Sequence, residues 1–338
     1  MDRPLVALIL AGGTGTRLYP ASRSNRPKQF LSFGGDDSLL TQTVDRAAFA
    51  DETYVLTREA YADEIHEHAP DAAVLTEPEP KDTGPALVYA AHRVREQVGD
   101  CAMLVLPSDH HVAGDFRGVA ERAARVAVET GGVATVGVEP TRPDPGYGYI
   151  EPGDPQDGYF AVKQFREKPD RETAAGYVDR GFYWNAGMFA WTPEAFLQEA
   201  RESPLEPLVD ALDDGDSSRG FDAVDPVSVD YAVLERSDSV FVVPADFEWD
   251  DLGAWDAIER LVDGGSGEGE DDNDNAVLGD ALAVDAADNV VATDGHVSLV
   301  GVEDLIVASF DDRTLVVPKD DAQRVRDVVA ELRERGLF

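Results

Sequence analysis

Apolar runs of strand length recur along this chain without the in–out alternation of a half-exposed strand, and helix-like stretches separate them. Leu5–Leu10 (LVALIL) runs into Gly12–Gly13, and Thr53–Thr57 precedes the helical run Ala60–His68, which Ala73–Thr76 follows. Thr83–Val98 reads as a helix, because a Thr or Asp at its start can cap the free N–H groups and Pro85 suits a first turn. Cys101–Leu106 is strand-like, Phe116–Thr130 helical and Gly132–Val138 strand-like again. Strands apolar on both faces with helices between them predict an α/β fold: a mostly parallel, Rossmann-like sheet covered on both sides.

Beyond Pro140 the chain is richer in Gly, Pro and aromatic residues, and the strands Gly158–Phe165 and Gly187–Ala190 are expected as additions at the sheet edge. Residues 263–275 (DGGSGEGEDDNDN) contain no hydrophobic residue and read as a linker. Short β-rich segments follow, at Val277–Val284, Asn289–Thr293, Val297–Val302, Leu305–Ser309 and Thr314–Val317. An amphipathic helix near Asp320–Arg335 closes the chain. The expected organisation is therefore a domain over 1–262, a linker over 263–275 and a small β-rich domain over 276–338.

Charge narrows the function. With 67 acidic residues in 338 the net charge is −38, and only five of the 29 basic residues are lysine (Lys28, Lys81, Lys163, Lys168 and Lys319). Dispersed acidity of this kind resembles the surfaces of salt-accumulating halophiles, where negative charge maintains solubility. It excludes nucleic acid as a partner, since a phosphate backbone would be repelled over most of the surface. No run is long enough to span a membrane, and no secretory leader is evident, so a cytoplasmic location is expected. The single cysteine, Cys101, lies against a strand-like run and is expected to be a buried, inert thiol.

Against this background residues 3–35 carry no Asp or Glu, where even spacing would give about six, yet they include Arg3, Arg17, Arg23, Arg26 and Lys28. The window opens on the Leu5–Leu10 strand and passes into a turn with glycine at 12, 13 and 15. Glycine there lets backbone N–H groups approach an anion without a Cβ in the way. Arg17 can add a bidentate phosphate contact and Lys28 a mobile point charge. The spacing is neither a Walker A loop nor the dinucleotide fingerprint. Polyanion binding at this turn is the reading.

The string Leu10-Ala11-Gly12-Gly13-Thr14-Gly15-Thr16-Arg17-Leu18-Tyr19-Pro20, continued by Ser22-Arg23 and Pro27-Lys28-Gln29-Phe30, closely resembles the signature of sugar-phosphate nucleotidyltransferases. Its Pro-Lys-Gln-Phe form is similar to the mannose-1-phosphate guanylyltransferase branch. Further segments follow in family order: Glu77-Pro78, Asp82-Thr83-Gly84-Pro85, Pro107-Ser108-Asp109-His110, Gly146-Tyr147-Gly148-Tyr149, Phe165-Arg166-Glu167-Lys168-Pro169, Trp184-Asn185-Ala186-Gly187, Val229-Asp230-Tyr231-Ala232 and Trp249-Asp250-Asp251-Leu252-Gly253. Residues 277–338 look like the short β-helix-like C-terminal part of this branch.

The resemblance implies a reaction of GTP with mannose 1-phosphate that gives GDP-mannose and pyrophosphate. It assigns the nucleotide to Leu10, Ala11, Gly12, Gly13, Thr14, Gly15, Thr16, Arg17, Glu77, Asp82, Pro85 and Asp109. The sugar phosphate falls to Gly148, Glu167, Lys168 and Asn185, and a divalent cation, Mg²⁺, to Asp109 and Asp251. Arg17, Lys28, Lys168, Asp109 and Asp251 would carry the chemistry, and a homodimer is expected from the relatives' use of the C-terminal part.

Where relatives carry Asn-Thr-Ala-Pro this chain has Asp82-Thr83-Gly84-Pro85, so Asp82 either caps the helix or accepts from guanine. His110 and His111 have no third His or Cys at zinc-ligand spacing, and Trp184, Phe189 and Trp191 are expected in the core rather than on a sugar. Alternative readings are a glucose-1-phosphate thymidylyl- or uridylyltransferase and a non-catalytic subunit that senses GDP-mannose.

Overall fold

The computed structural model describes residues 3–33, 35–263 and 274–338. Two units emerge from the packing. One holds Met1–Gly12, Thr43–Ser108 and Val112–Trp249, and the other holds Gly13–Gln42, Asp109–His111 and Asp250–Phe338. In chain order the first eleven strands are β1 (Leu5–Leu10), β2 (Glu52–Arg58), β3 (Ala73–Glu77), β4 (Ala102–Pro107), β5 (His111–Ala113), β6 (Val133–Val138), β7 (Tyr149–Pro155), β8 (Phe160–Arg166), β9 (Tyr183–Trp191), β10 (Val240–Pro244) and β11 (Glu248–Asp250).

The first unit is built on a nine-stranded sheet in the order β3-β2-β1-β4-β9-β6-β10-β8-β7. Strands β3, β2, β1 and β4 pair in parallel, as do β6 and β10. Val6, Ala7, Leu8 and Ile9 of β1 have no exposed surface, which is why that run shows no alternation. The helices Thr83–Gln97 and Phe116–Thr130 lie where the sequence places them, the second started by Asp115 and stopped by Gly131 in the left-handed region.

One expectation is corrected. The segment around Gly187–Ala190 is not an edge addition: β9 runs antiparallel between β4 and β6, in the middle of the sheet. Its second half, Met188 to Trp191, is buried and free of charge, and Trp191 stacks on Phe196 with ring centroids 4.1 Å apart. Edge strands carry charges or prolines to block further pairing, and this stretch has neither. The edge is instead formed by the later part of β7, which pairs with β8 and contains Pro152 and Pro155, while its first residues, Tyr149 and Ile150, also pair with β9.

The second unit contains β12 (Ala276–Val284), β13 (Val290–Val300), β14 (Leu305–Phe310) and β15 (Arg313–Pro318), paired in that order. The first three are parallel and the last antiparallel. The two segments expected at Asn289–Thr293 and Val297–Val302 form one strand, β13. β13 bulges between Ala292 and His296, opposite Gly279 of β12 (φ 109°), where a Cβ would collide with the Thr293 carbonyl.

Residues 264–273 of the expected linker lie outside the described residues. Asn275 at its end is fully buried, and its Oδ1 accepts from Asn289 N (3.0 Å) and Asn289 Nδ2 (2.8 Å). Asn289 Oδ1 in turn accepts from Leu305 N (3.0 Å), so two asparagines tie successive coils together. The closing helix is a 3₁₀ turn, Lys319–Arg324, followed by α-helix Val325–Glu334.

Leu18, Tyr19, Leu31, Phe33 and Leu39 share one apolar cluster with Trp255, Ile258, Val290, Ile306 and Phe310. The acid-free N-terminal segment and the C-terminal strands thus have a common core. Burying each such large side chain contributes about 1.5–3 kcal/mol. Among the described residues no helix is long and apolar enough to cross a membrane.

Candidate active site

β1 ends at Leu10 and the chain leaves regular structure through the glycine turn. Ala11 N donates to the Leu56 carbonyl at 2.8 Å, which fixes the start of the turn against β2. A Cβ on Gly12 would sit 3.2 Å from Glu77 Oε1, so glycine lets that carboxylate lie against the backbone. Gly13 faces open space. Gly15 has φ 62°, and a Cβ there would overlap Lys28 Cβ. The 3₁₀ turn Thr16–Leu18 then leaves the Arg17 side chain 41% exposed, whereas Lys28, at the head of the turn Lys28–Phe30, is 4% exposed.

Within the second unit the cations and the two aspartates converge. Lys28 Nζ donates to Asp109 Oδ2 at 2.9 Å and to the Asp251 carbonyl at 2.6 Å, and Arg17 Nη2 lies 4.0 Å from Asp251 Oδ2. Residues 81 and 223 positions from Lys28 in sequence therefore meet on one ammonium. Burial pushes the Asp109 carboxyl up, but Lys28 and then His110 outweigh it and hold it below the ordinary carboxylate range. His110 moves the other way: burial, aided by Lys28, lowers it against the pull of Asp109, Asp251 and Asp250.

Neighbouring aspartates have different work. Asp250 accepts from Arg260 Nε (2.7 Å) and Leu252 N (2.8 Å), while Asp251 accepts from Gly253 N (3.0 Å) and keeps its other oxygen toward Arg17. Asp250 is thereby engaged in holding the segment. Among the described residues no three or more His, Cys, Asp or Glu side chains gather as a metal-binding group. Asp109 and Asp251 offer oxygen donors only, the kind a hard divalent cation takes together with phosphate oxygens and water.

The first unit groups the four sugar-phosphate candidates. Asn185 N, on β9, donates to the Gly148 carbonyl at 2.8 Å, and Lys168 N donates to the Tyr147 carbonyl at 3.2 Å. A Cβ on Gly148 would sit 2.5 Å from Glu167 Oε2 and 3.3 Å from Asn185 Cβ, so only glycine leaves this corner open. Lys168 Nζ pairs with Glu167 Oε1, with Lys168 at φ 46° just past β8. Burial lowers the Lys168 ammonium, but the Glu167 hydrogen bond and charge more than reverse it, so it stays charged.

Of the remaining nucleotide candidates, Asp82 is the N-cap of helix Thr83–Gln97: its carboxylate accepts from Thr83 N at 2.7 Å with φ 70°. Pro85 is buried in that helix's first turn. Glu77 ends β3, where burial pushes its carboxyl up to about 7, opposed by Arg58 at 3.8 Å. Trp184, Phe189 and Trp191 are core residues, 3%, 3% and 0% exposed. Cys101 is buried too, and burial raises its thiol to about 12.

Residues 6–263 match the family described as "Nucleotidyl transferase". The chain belongs to that family. Residues 279–332 of this nucleotidyl transferase also match a "MannoseP isomerase/GMP-like beta-helix domain". It is 35% identical to the "Xanthan biosynthesis protein XanB" of Xanthomonas campestris pv. campestris (strain B100), covering 98% of this chain and 74% of that protein. It is 34% identical to the "Mannose-1-phosphate guanylyltransferase" of Salmonella montevideo, covering 97% of this chain and 74% of that one. Among solved structures it superposes on a "mannose-1-phosphate geranyltransferase" from Thermus thermophilus with a TM-score of 0.90 at 34% identity, over 98% of this chain and 99% of the other.

Sequence reasoning did not assign Asp230, although its motif was legible. Asp230 Oδ1 accepts from Asn185 Nδ2 at 3.0 Å, and Asn185 Oδ1 accepts from Thr135 Oγ1 (3.0 Å) and Gly187 N (3.2 Å). Burial, reinforced by Glu167, pushes the Asp230 carboxyl up to about 7. A second carboxylate thus stands beside Glu167 among the sugar-phosphate candidates, and its sequence signals were the Val229–Ala232 motif and an acid in a stretch free of other charges, Val227 to Leu234.

Proposed function

We propose that this chain transfers the guanylyl group of GTP to mannose 1-phosphate, giving GDP-mannose and pyrophosphate. The observation that carries the reading is Lys28 Nζ, held at 2.9 Å from Asp109 and 2.6 Å from the Asp251 backbone, in the one long segment of an acidic chain that has no carboxylate. The similarity to the Salmonella guanylyltransferase supports the choice of substrates. A phosphate oxygen of the sugar phosphate attacks the α-phosphorus, the bond from that phosphorus to the bridging oxygen breaks, and pyrophosphate leaves. The attacking oxygen is ionised at neutral pH, so no general base is needed, and alignment and charge stabilisation carry the rate.

We assign Leu10 to Arg17 to the triphosphate, with Glu77, Asp82 and Pro85 on the nucleoside side. Lys28 is assigned to charge on the α-phosphoryl group, and Gly148, Glu167, Lys168 and Asn185 to the sugar phosphate. Asp109 and Asp251 would hold Mg²⁺, which when bound would neutralise phosphate charge. The catalytic part is taken as 1–262 and the C-terminal part as 276–338. The acidity, with few lysines, supports an enzyme that works in the cytoplasm of a salt-accumulating cell.

The test crosses four nucleoside triphosphates with mannose 1-phosphate and glucose 1-phosphate, in Mg²⁺ and concentrated KCl, and reads pyrophosphate. GTP with mannose 1-phosphate should give the highest kcat/KM. Preference for dTTP or UTP with glucose 1-phosphate would make the chain a thymidylyl- or uridylyltransferase. Binding of GDP-mannose with no pyrophosphate from any pair would make it a sensor.

A further inference from the structure

We infer that the C-terminal strands clamp the anion-binding segment, with Arg23 as the positioning residue that sets Lys28 and the Gly13–Thr16 turn. The inference rests on the function proposed above for that segment. The Arg23 side chain is only 12% exposed, and its guanidinium pairs with Asp311 and, at 3.6 Å, with Asp312. Both aspartates lie in the tight turn between β14 and β15. That turn is itself fixed, because Asp311 N donates to the two Asp294 carboxylate oxygens at 3.2 and 3.1 Å.

On its other side Arg23 is wired into the site. Its backbone N and O exchange hydrogen bonds with Arg26, both at 3.0 Å, which closes the loop two residues before Lys28. The preceding residue, Ser22, is fully buried and donates its hydroxyl to the Thr14 carbonyl within the glycine turn. One guanidinium therefore joins the two ends of the segment, the turn and the lysine, to a strand turn 288 positions away. A second anchor lies at Tyr19, whose carbonyl accepts from Trp255 Nε1 at 2.8 Å; Trp255 in turn stacks on Phe310. The apolar cluster keeps the unit folded without Arg23, so the loss of the ion pair frees the segment rather than unfolding the chain.

Displacing a catalytic group by about 1 Å can cost about 100-fold in rate. The test uses the full chain with Arg23→Ala, Arg23→Lys, Asp311→Ala and the double alanine variant. It reads kcat and KM separately, together with amide hydrogen exchange over residues 14–28. Arg23→Ala should lower kcat about 10- to 100-fold while KM for mannose 1-phosphate moves less than about threefold. Arg23→Lys should recover most of the rate, and Asp311→Ala should add little to Arg23→Ala. Exchange over 14–28 should rise at least about tenfold, with β1 amides unchanged.

A kcat within about twofold of wild type in Arg23→Ala, or faster exchange spread equally over β1, overturns the clamp. The exchange measurement needs no substrate. If wild type shows no transfer from GTP, the proposed function fails, while exchange alone still decides the clamp.

Discussion

The sharpest consequence of the loop geometry is a contrast between two neighbouring glycines of the same turn, Gly13 and Gly15. At Gly15 the backbone has φ 62°, and an added Cβ would overlap Lys28 Cβ, an atom anchored directly to the backbone. An alanine there must accept a left-handed conformation, at about 1–2 kcal/mol, and push Lys28 aside. For a chain of this size that strain lowers Tm by roughly 1–3 °C. The larger effect is on rate: Lys28 Nζ sits within 2.9 Å of Asp109 and 2.6 Å of the Asp251 carbonyl, so a shift of about 1 Å breaks both contacts and lowers kcat about 100-fold. Gly13 has no atom within 4 Å of the corresponding position. Gly13→Ala should therefore melt within about 1 °C of wild type and act mainly on KM for GTP, through backbone approach to phosphate. The assay is pyrophosphate release with GTP and mannose 1-phosphate, alongside thermal melts. Gly15→Ala with more than about half the wild-type kcat would refute the packing of Lys28 on the glycine turn.

Three further outcomes are expected. Lys28→Ala should lower kcat by about 10²–10³ with a much smaller rise in KM for GTP, as measured by initial rates; unchanged turnover would remove Lys28 from the chemistry. Asp230 holds its proton up to about pH 7 in the folded chain against an ordinary value of 3.8, so its own contribution to stability is full below about pH 4 and falls as pH rises toward 7. Asp230→Asn keeps the Oδ1 that accepts from Asn185 and removes the charge facing Glu167; its melting temperature should exceed that of wild type at about pH 8. Equal melting there would show that Asp230 is not pressed by burial. With a net charge of −38 and an anionic substrate, activity should rise steeply with KCl toward molar concentration, where the Debye length is about 3 Å; a maximum in dilute buffer would contradict the halophilic reading.

Much of the architecture was legible because burial on both faces leaves a plain mark in sequence. The non-alternating LVALIL run and the helices Thr83–Gln97 and Phe116–Thr130 follow directly from apolar pattern and capping residues. What was not legible is pairing at a distance. The uncharged Met188–Trp191 stretch argues against an edge, but nothing local in Tyr183–Trp191 says which strands flank it, because strand order is set by which neighbours complete its two hydrogen-bonding edges. The union of β13 across Asp294-Gly295 was hidden by turn-like residues that β13 absorbs as a bulge opposite Gly279.

At the site, the absence of carboxylates marked residues 3–35, and the motif order marked Asp109 and Asp251, but only the fold brings both to one lysine. Asp230 lay within a quoted motif but received no role for a related reason: its perturbed carboxyl depends on burial beside Glu167, a property of the folded neighbourhood rather than of the residue. The dependence of the acid-free segment on the β14–β15 turn is equally nonlocal, since Arg23 and Asp311 look like ordinary surface charges in a chain with so many.

Nucleotidyl transfer turns on the breaking of one bond, and the fate of the phosphorus atoms reports it directly. Wild type is incubated with mannose 1-phosphate, Mg²⁺ and KCl, and with GTP labelled at either the α- or the γ-phosphorus. The α-label should appear in GDP-mannose and the γ-label in pyrophosphate, in equal amounts. Release of γ-label as inorganic phosphate, or α-label that never joins the sugar, would contradict nucleotidyl transfer.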